Sequence, residues 1–187
     1  FDKEVGWYTT GDRWYRLADD EGNDFWHCSY GNADAFYGTR ETVDALILNE
    51  WQDRLARNGE TAAARWALTY AILYHDCIGG DVAVRLVELQ GEARLAELAG
   101  REPWVLDANA YGQEAIVAMA TRLGIAITVV TQPDRHLPRY TQLANILGRP
   151  DAQYIAAADG GRYYVWTGRA YLPLTDEETA LVMANAA

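Results

Sequence analysis

Three side chains capable of chemistry lie within five positions near the start of the chain: Asp24, His27 and Cys28. A carboxylate, an imidazole and a thiol are groups that proteins use for acid–base and nucleophilic catalysis. Gly22-Asn23 interrupts the chain just before them, and an Asp ahead of an aromatic run is typical of a helix N-cap. We therefore predict a helix that begins near Asp24, which caps it, and runs toward Phe36. Cys28 then lies one turn further along the same face, where a small cysteine packs in the core.

Other clusters of reactive residues give no cofactor or metal site. His75-Asp76-Cys77 resembles a group of metal ligands. Adjacent residues point in different directions, however, and no second Cys/His group follows at zinc spacing. His136 stands in a proline-flanked loop, and Gly160-Gly161 is a hairpin turn rather than a phosphate cradle, because no helix follows it. We predict no metal and no cofactor.

The elements that must position these residues are helical in the first half of the chain. Apolar residues recur every three or four positions from Val43 to Leu55, which indicates a helix capped by Thr39 and ended by Asn58-Gly59. A second run from Trp66 to Tyr74 predicts another helix, ended by Gly79-Gly80. The stretch 82–98 predicts one or two more, with a break at Gly91.

The second half contains the predicted strands. Trp104 is expected in a loop and residues 115–123 in a helix. The β-branched run 125–130 predicts a buried strand. Residues 154–158 and 163–166 predict a hairpin around Asp159-Gly160-Gly161, a further strand follows at 171–174, and residues 176–187 predict a C-terminal helix. Helices followed by a strand meander indicate an α+β domain.

Length and charge restrict the class of protein. A chain of 187 residues fits one domain, 1–187. Its formal net charge of −11 disfavours nucleic acid as a partner, and no apolar run approaches the roughly 18–20 residues of a membrane span. Two cysteines form no disulfide framework, so a reducing cytosol is favoured.

Three segments resemble the ovarian-tumour (OTU) family of papain-like deubiquitinases. Residues 21–27 resemble its Asp-Gly-Asn-Cys-aromatic-aromatic nucleophile motif. Trp104 with residues 111–120 resembles the Trp-Gly-acid stretch that leads into a helix, and strand 125–130 follows in the same order. Residues 159–165 resemble the hairpin that carries the catalytic His-Tyr pair. The resemblance covers about residues 14–167. It implies a papain-like α+β fold, with a helical first half packed on a small, mostly antiparallel sheet.

The same alignment implies loss of the catalytic groups. Asp24 occupies the nucleophile position and Tyr163 the histidine position, or Arg162 if the hairpin is one residue shorter. The orienting residue falls on Val165 or Tyr164, and neither can serve. A carboxylate is a poor nucleophile toward amides, and no general base stands beside it.

The resemblance therefore implies a catalytically inactive, protein-binding module, with ubiquitin or a ubiquitin-like protein as the default partner. Such a module could be part of a bacterial effector or toxin that is delivered into a host cell. The alternative is an active deubiquitinase or cysteine hydrolase with a displaced nucleophile, or with one removed by an engineered Cys→Asp change. In that alternative Cys28 or Asp24 acts with His27. The residues that the resemblance assigns to the binding groove are Asn23, Phe25, Trp26, His27, Trp104, Tyr111 and Tyr164.

Overall fold

The computed structural model describes residues 14–18, 24–30, 34–36, 40–74, 78–132 and 136–186. For residues 14–36 the description covers the backbone. The chain divides into two compact units: residues 1–102 with 118–125, and residues 103–117 with 126–187. A single domain over 1–187 stays a prediction.

The first unit combines a small sheet with four helices. Its strands form an antiparallel sheet in the order β1-β2-β3. Their bounds are β1 Trp14–Ala18, β2 Asp24–Tyr30 and β3 Asp34–Phe36. The helices are α1 Arg40–Asn58, α2 Glu60–Leu73, α3 Ile78–Gln90 and α4 Glu92–Ala99.

Helix α2 lies at the centre of this unit and packs on α1, α3 and α4. Its fully buried alanines (Ala63, Ala64 and Ala67) have short side chains, so neighbouring helices approach it closely. The larger buried side chains Trp51, Leu86 and Leu95 come from α1, α3 and α4. The core of the unit therefore forms where three helices meet the alanine face of the fourth.

The helix predicted at Asp24 is wrong, because Asp24 is the first residue of strand β2 and pairs with Ala18. The proposed N-cap role for Asp24 is wrong for the same reason. Bulky aromatic residues such as Phe25, Trp26 and Tyr30 favour a strand. Strand β1, which precedes Gly22 in the sequence, is the antiparallel partner of β2. Strand pairing outweighs the isolated capping signal.

Two further predictions in the first unit have mixed outcomes. Helix α1 ends at Asn58 as predicted, and Gly91 separates α3 from α4 with a φ of 82°. Gly79-Gly80, in contrast, lie in the first turn of α3 and do not close a helix. The predicted cap Thr39 lies outside the described residues.

The second unit is built on a five-stranded sheet in the order β4-β5-β6-β7-β8. Strands β4 and β5 run parallel, and every later neighbouring pair is antiparallel. In chain order, the elements of this half are β4 Trp104–Asp107, α5 Gln113–Arg122, β5 Ile127–Thr131, α6 Tyr140–Leu147, β6 Tyr154–Ala158, β7 Tyr163–Trp166, β8 Tyr171–Pro173 and α7 Asp176–Ala184. Helix α5 crosses the division between the units at residue 118.

The sheet of the second unit has two different faces, because strand side chains alternate. One face carries Ile155 and Val165, which form a core with Leu143 of α6 and Val182 of α7. The opposite face carries a second cluster of Val130, Ala156, Ala158 and Tyr164, with Val105 and Tyr171 packed against it. Helices α6 and α7 therefore cover the first face.

The α+β class and the strand meander are confirmed. Strands β6 and β7 match the predicted hairpin, β5 matches within two residues, and α7 begins at the predicted Asp176. Trp104 is a correction, since it begins strand β4 instead of lying in a loop. Parallel pairing with β5 and burial of the Trp104 ring explain the strand. Helix α6 is an element that the sequence analysis did not predict.

Candidate functional site

A chain of side-chain hydrogen bonds in the second unit ends on Asp107. Tyr171 donates its hydroxyl to Oδ2 of Asp107 at 2.7 Å, and the hydroxyls of Tyr154 and Tyr171 are 2.8 Å apart. Because the Tyr171 proton points to the carboxylate, Tyr154 must donate to the Tyr171 oxygen. We call Asp107, Tyr154, Trp166 and Tyr171 the tyrosine–aspartate cluster.

This cluster joins the two edge strands of the sheet. Asp107 lies on β4 and Tyr171 on β8, and three strands separate them. In a flat sheet, with neighbouring strands about 4.8 Å apart, the edges would be about 19 Å apart. A side-chain hydrogen bond between them therefore requires a strongly curled sheet, with the cluster on its concave face.

Small residues on β6 make room for the aromatic rings on this face. Ala156 pairs with Tyr164 across the strands, and Ala156 is fully buried. Tyr154 pairs with Trp166, which in turn pairs with Tyr171. The rings of Trp166 and Tyr171 are 4.7 Å apart between centroids, and Tyr154 meets Tyr171 edge-on at 6.2 Å. Tilted and edge-on pairs are the favoured aromatic geometries.

The cluster holds Tyr171 in its protonated form. Burial raises the pKa of the Tyr171 hydroxyl well above its ordinary value of 10.0, and the hydrogen bonds with Tyr154 and Asp107 raise it further. An ionised Tyr171 would lose its bond to Asp107 and repel the carboxylate. The hydroxyl therefore acts as a hydrogen-bond donor and is unsuited to general-base chemistry at neutral pH.

Asp107 also organises the loop that follows β4. Its Oδ1 accepts the backbone N–H of Asn109 at 2.8 Å, and its carbonyl accepts the N–H of Ala110 at 3.0 Å. Such an Asx turn fixes the local backbone. The loop carries Tyr111, of which 72% is exposed. One carboxylate thus connects the curled sheet to a surface tyrosine.

The predicted catalytic positions are divided between the two units. Asp24 belongs to the first unit and Tyr163 to the second. Tyr163 is half-buried and packs against the core under α6 and α7. Val165 is fully buried in that core, and Arg162 is exposed beside the hairpin turn.

The predicted groove residues fall into three groups. Asn23 lies outside the described residues, and Phe25, Trp26 and His27 lie on strand β2. Trp104 and Tyr164 are 7% and 6% exposed, so their rings serve as core and offer little surface to a partner. Tyr111 is the predicted groove residue whose described side chain is open to solvent.

Within the described part of the chain, no three His, Cys, Asp or Glu side chains come together as a metal-binding group. No helix there combines the length and apolar character needed to cross a bilayer.

The sequence analysis missed the tyrosine–aspartate cluster, although part of its signal is present. Tyr154, Trp166 and Tyr171 were placed on strands, and the hairpin around Gly160-Gly161 fixes which of them face each other. The link to Asp107 depends on the curl of the sheet, which no local pattern encodes.

Comparison of the chain with protein-family models, with curated proteins and with solved structures found no match. The OTU resemblance therefore stands on the residues of this chain alone.

Proposed function

We propose that this chain is a protein-binding module without peptidase activity, and that ubiquitin or a ubiquitin-like protein is its partner. The observation that carries the proposal is the setting of Tyr163 and Val165 on strand β7. At the positions where the resemblance expects an imidazole and its orienting group, one side chain is half-buried and the other fully buried in an apolar core. Neither can accept a proton from a nucleophile at neutral pH.

The surface that we assign to the partner is the loop of residues 108–112. Tyrosine is enriched among the residues that dominate binding energy, because it gives a large contact area at low entropic cost. Asp107 fixes the backbone of the loop, so Tyr111 is presented with little conformational freedom to lose on binding.

The family resemblance now rests mainly on the second half of the chain. Strand β4, helix α5, strand β5 and the β6–β7 hairpin follow in the order that suggested it. The strand at Asp24 removes the helix N-terminus on which a papain-like nucleophile depends, so residues 21–27 no longer support the resemblance. Loss of that feature favours binding over catalysis.

The experiment has a binding arm and a chemical arm. In the first, the ¹⁵N-labelled full chain is titrated with ubiquitin, and backbone shifts are followed by NMR. We expect saturable shifts that include residues 108–112. Tyr111→Ala should weaken binding about fivefold or more, as for an interface residue contributing over about 1 kcal/mol. Tyr111→Phe, which keeps the ring, and Leu181→Ala, which removes an exposed apolar side chain from α7, should bind like the wild type.

In the second arm, ubiquitin with a thiol-trapping group at its C-terminus is incubated with the chain. We expect no covalent adduct and no cleavage of ubiquitin chains. An adduct abolished by Cys28→Ala or by Cys77→Ala would instead support the alternative, an active hydrolase with a displaced nucleophile. Both variants are required, because either cysteine could be the displaced nucleophile. Cys28 lies on β2, and Cys77 directly precedes the first residue of α3 in the sequence. Absence of saturable ubiquitin binding would overturn the choice of partner.

A further inference from the structure

A groove of about 670 Å³ opens in the second unit, beside helix α6 and the segment that leads from it to strand β6. Its volume lies in the range of small-molecule and side-chain sites. Its lining includes a carboxylate, a side-chain amide and, at the start of the helix, an aromatic residue. These are Asp151, Asn145 and Tyr140.

The groove has negative electrostatic character. Asp151 is exposed and, among the residues that the structure describes, has no cationic partner. Helix α6 ends at Gly148, so the partial negative charge of its C-terminus lies at the same place. The neighbouring arginines are engaged elsewhere: Arg149 donates to Glu178 at 2.7 Å, and Arg139 to Gln132 at 3.3 Å.

Tyr140 presents an aromatic surface at the same groove. The residue is 65% exposed and has a φ of 49°, a left-handed conformation that non-glycine residues rarely adopt. Its N–H donates to the carbonyl of Gln153 at 2.7 Å, which holds that conformation. An exposed aromatic ring and a carboxylate that line the same groove match the two contacts that a guanidinium makes best, a forked ion pair and stacking on a π face.

We infer that this groove binds an arginine side chain on the surface of a partner polypeptide. Asp151 pairs with the guanidinium, the ring of Tyr140 stacks on it, and the amide oxygen of Asn145 accepts a remaining N–H group. Arginine fits better than lysine because its planar fork can satisfy several acceptors at once. The chain's net charge of −11 also favours the approach of a basic partner.

The inference goes beyond the proposed function and is tested separately, with peptides instead of ubiquitin. The probe is the peptide acetyl-Ser-Gly-Arg-Gly-Ser-amide, titrated into the ¹⁵N-labelled full chain. The matched probe replaces arginine by citrulline, which has nearly the same shape and no charge. We expect saturable shifts at residues 140–153 with a Kd on the order of 1 mM. The citrulline peptide should bind at least about twofold more weakly.

Variants of the groove test the contribution of the carboxylate and of the aromatic ring to peptide binding separately. Asp151→Asn should weaken the arginine peptide about two- to fivefold, whereas Asp159→Asn removes the same charge from the exposed β6–β7 turn and should not. Tyr140→Gly removes the ring and suits the left-handed backbone, so it should fold normally and lose about two- to fivefold in affinity. Tyr140→Asn serves the same purpose if the glycine variant fails to fold.

Three results would overturn the inference. One is the absence of saturable shifts at residues 140–153 with the arginine peptide. Another is equal affinity for the citrulline peptide. The third is wild-type affinity for the arginine peptide in two folded single variants, Asp151→Asn and either Tyr140→Gly or Tyr140→Asn.

Discussion

Removing the Tyr171 hydroxyl is the sharpest perturbation of the curled sheet. Tyr171→Phe keeps the ring and its contacts with Tyr154 and Trp166 but deletes both hydrogen bonds of the central hydroxyl. A bond to a carboxylate contributes about 1.5–3 kcal/mol and a neutral one about 0.5–1.5 kcal/mol. Together the two bonds would contribute about 2–4.5 kcal/mol to the free energy of unfolding if the cluster were fully buried, and this value is an upper bound.

The half-buried setting of the cluster lowers that value, because water can satisfy Asp107 and Tyr154 once the hydroxyl is gone. We therefore expect Tyr171→Phe to lower the free energy of unfolding by about 1–2 kcal/mol, at roughly half the upper bound. For a chain of this size, that corresponds to a fall in Tm of about 2–8 °C. Urea unfolding followed by tryptophan fluorescence and by circular dichroism is the assay, with coincidence of the two signals as the check on two-state behaviour.

Tyr163→Phe is the matched control. It removes a hydroxyl from the same sheet, and no hydrogen bond of that hydroxyl is found among the described residues, so the loss should stay within about 0.5 kcal/mol. The pH dependence adds a second check. Because burial and hydrogen bonding raise the pKa of Tyr171 above 10.0, its contribution is present below about pH 10 and declines as the pH rises further. Equal losses in the two variants, or a Tyr171→Phe effect that grows above pH 10, would refute the reasoning.

The other predictions concern ion pairs in the two units. Arg85 is 8% exposed and donates to both oxygens of Asp44, at 2.7 and 2.6 Å. Arg85 also pairs with Glu88 at 2.5 Å and keeps that partner when Asp44 is removed. Asp44→Ala should therefore lower stability by about 1–3 kcal/mol, measured by urea unfolding, and the double change Asp44→Leu with Arg85→Met should cost less than Asp44→Ala alone. Glu178 accepts the N–H of Thr175 at 2.9 Å, and this bond, aided by Arg149, holds its pKa below 4.5. Stability from the Glu178 carboxylate is thus present above about pH 4.5 and is lost as the pH falls through the depressed pKa, so Glu178→Gln should destabilise at pH 7 by about 0.5–1.5 kcal/mol, and this loss should shrink steadily as the pH is lowered below about 4.5. A Glu178→Gln loss that persists unchanged at pH 3, or an Asp44→Ala variant as stable as the wild type, would contradict these assignments.

The accuracy of the sequence-based predictions follows the strength of the local signal. The run 125–130 and the glycine turn at Gly160-Gly161 each point to one structure, and both strands and turn occur there. Gly91 likewise separates two helices, because its φ of 82° favours glycine. Where periodicity, propensity and turn chemistry agree, local sequence is sufficient.

The sequence-based predictions are wrong where contacts with residues distant in the sequence determine the local structure. Asp24 satisfies the rule for an N-cap, yet pairing with β1 makes it the start of a strand. Gly79-Gly80 follow the rule for helix ends but lie inside α3, where packing on α2 compensates for their low helix propensity. The Asp107–Tyr171 bond joins residues 64 positions apart and requires a curl that results from the whole sheet. Long-range geometry of this kind leaves no mark in a window of neighbouring residues.

The most direct test of the proposed function is one NMR titration of the ¹⁵N-labelled chain with ubiquitin, carried out beside the Tyr111→Ala variant. The proposal predicts saturable shifts at residues 108–112 in the wild type, at least about fivefold weaker binding in the variant, and ubiquitin recovered intact. Shifts that do not saturate, shifts confined to other residues, or a ubiquitin adduct on either cysteine would contradict it.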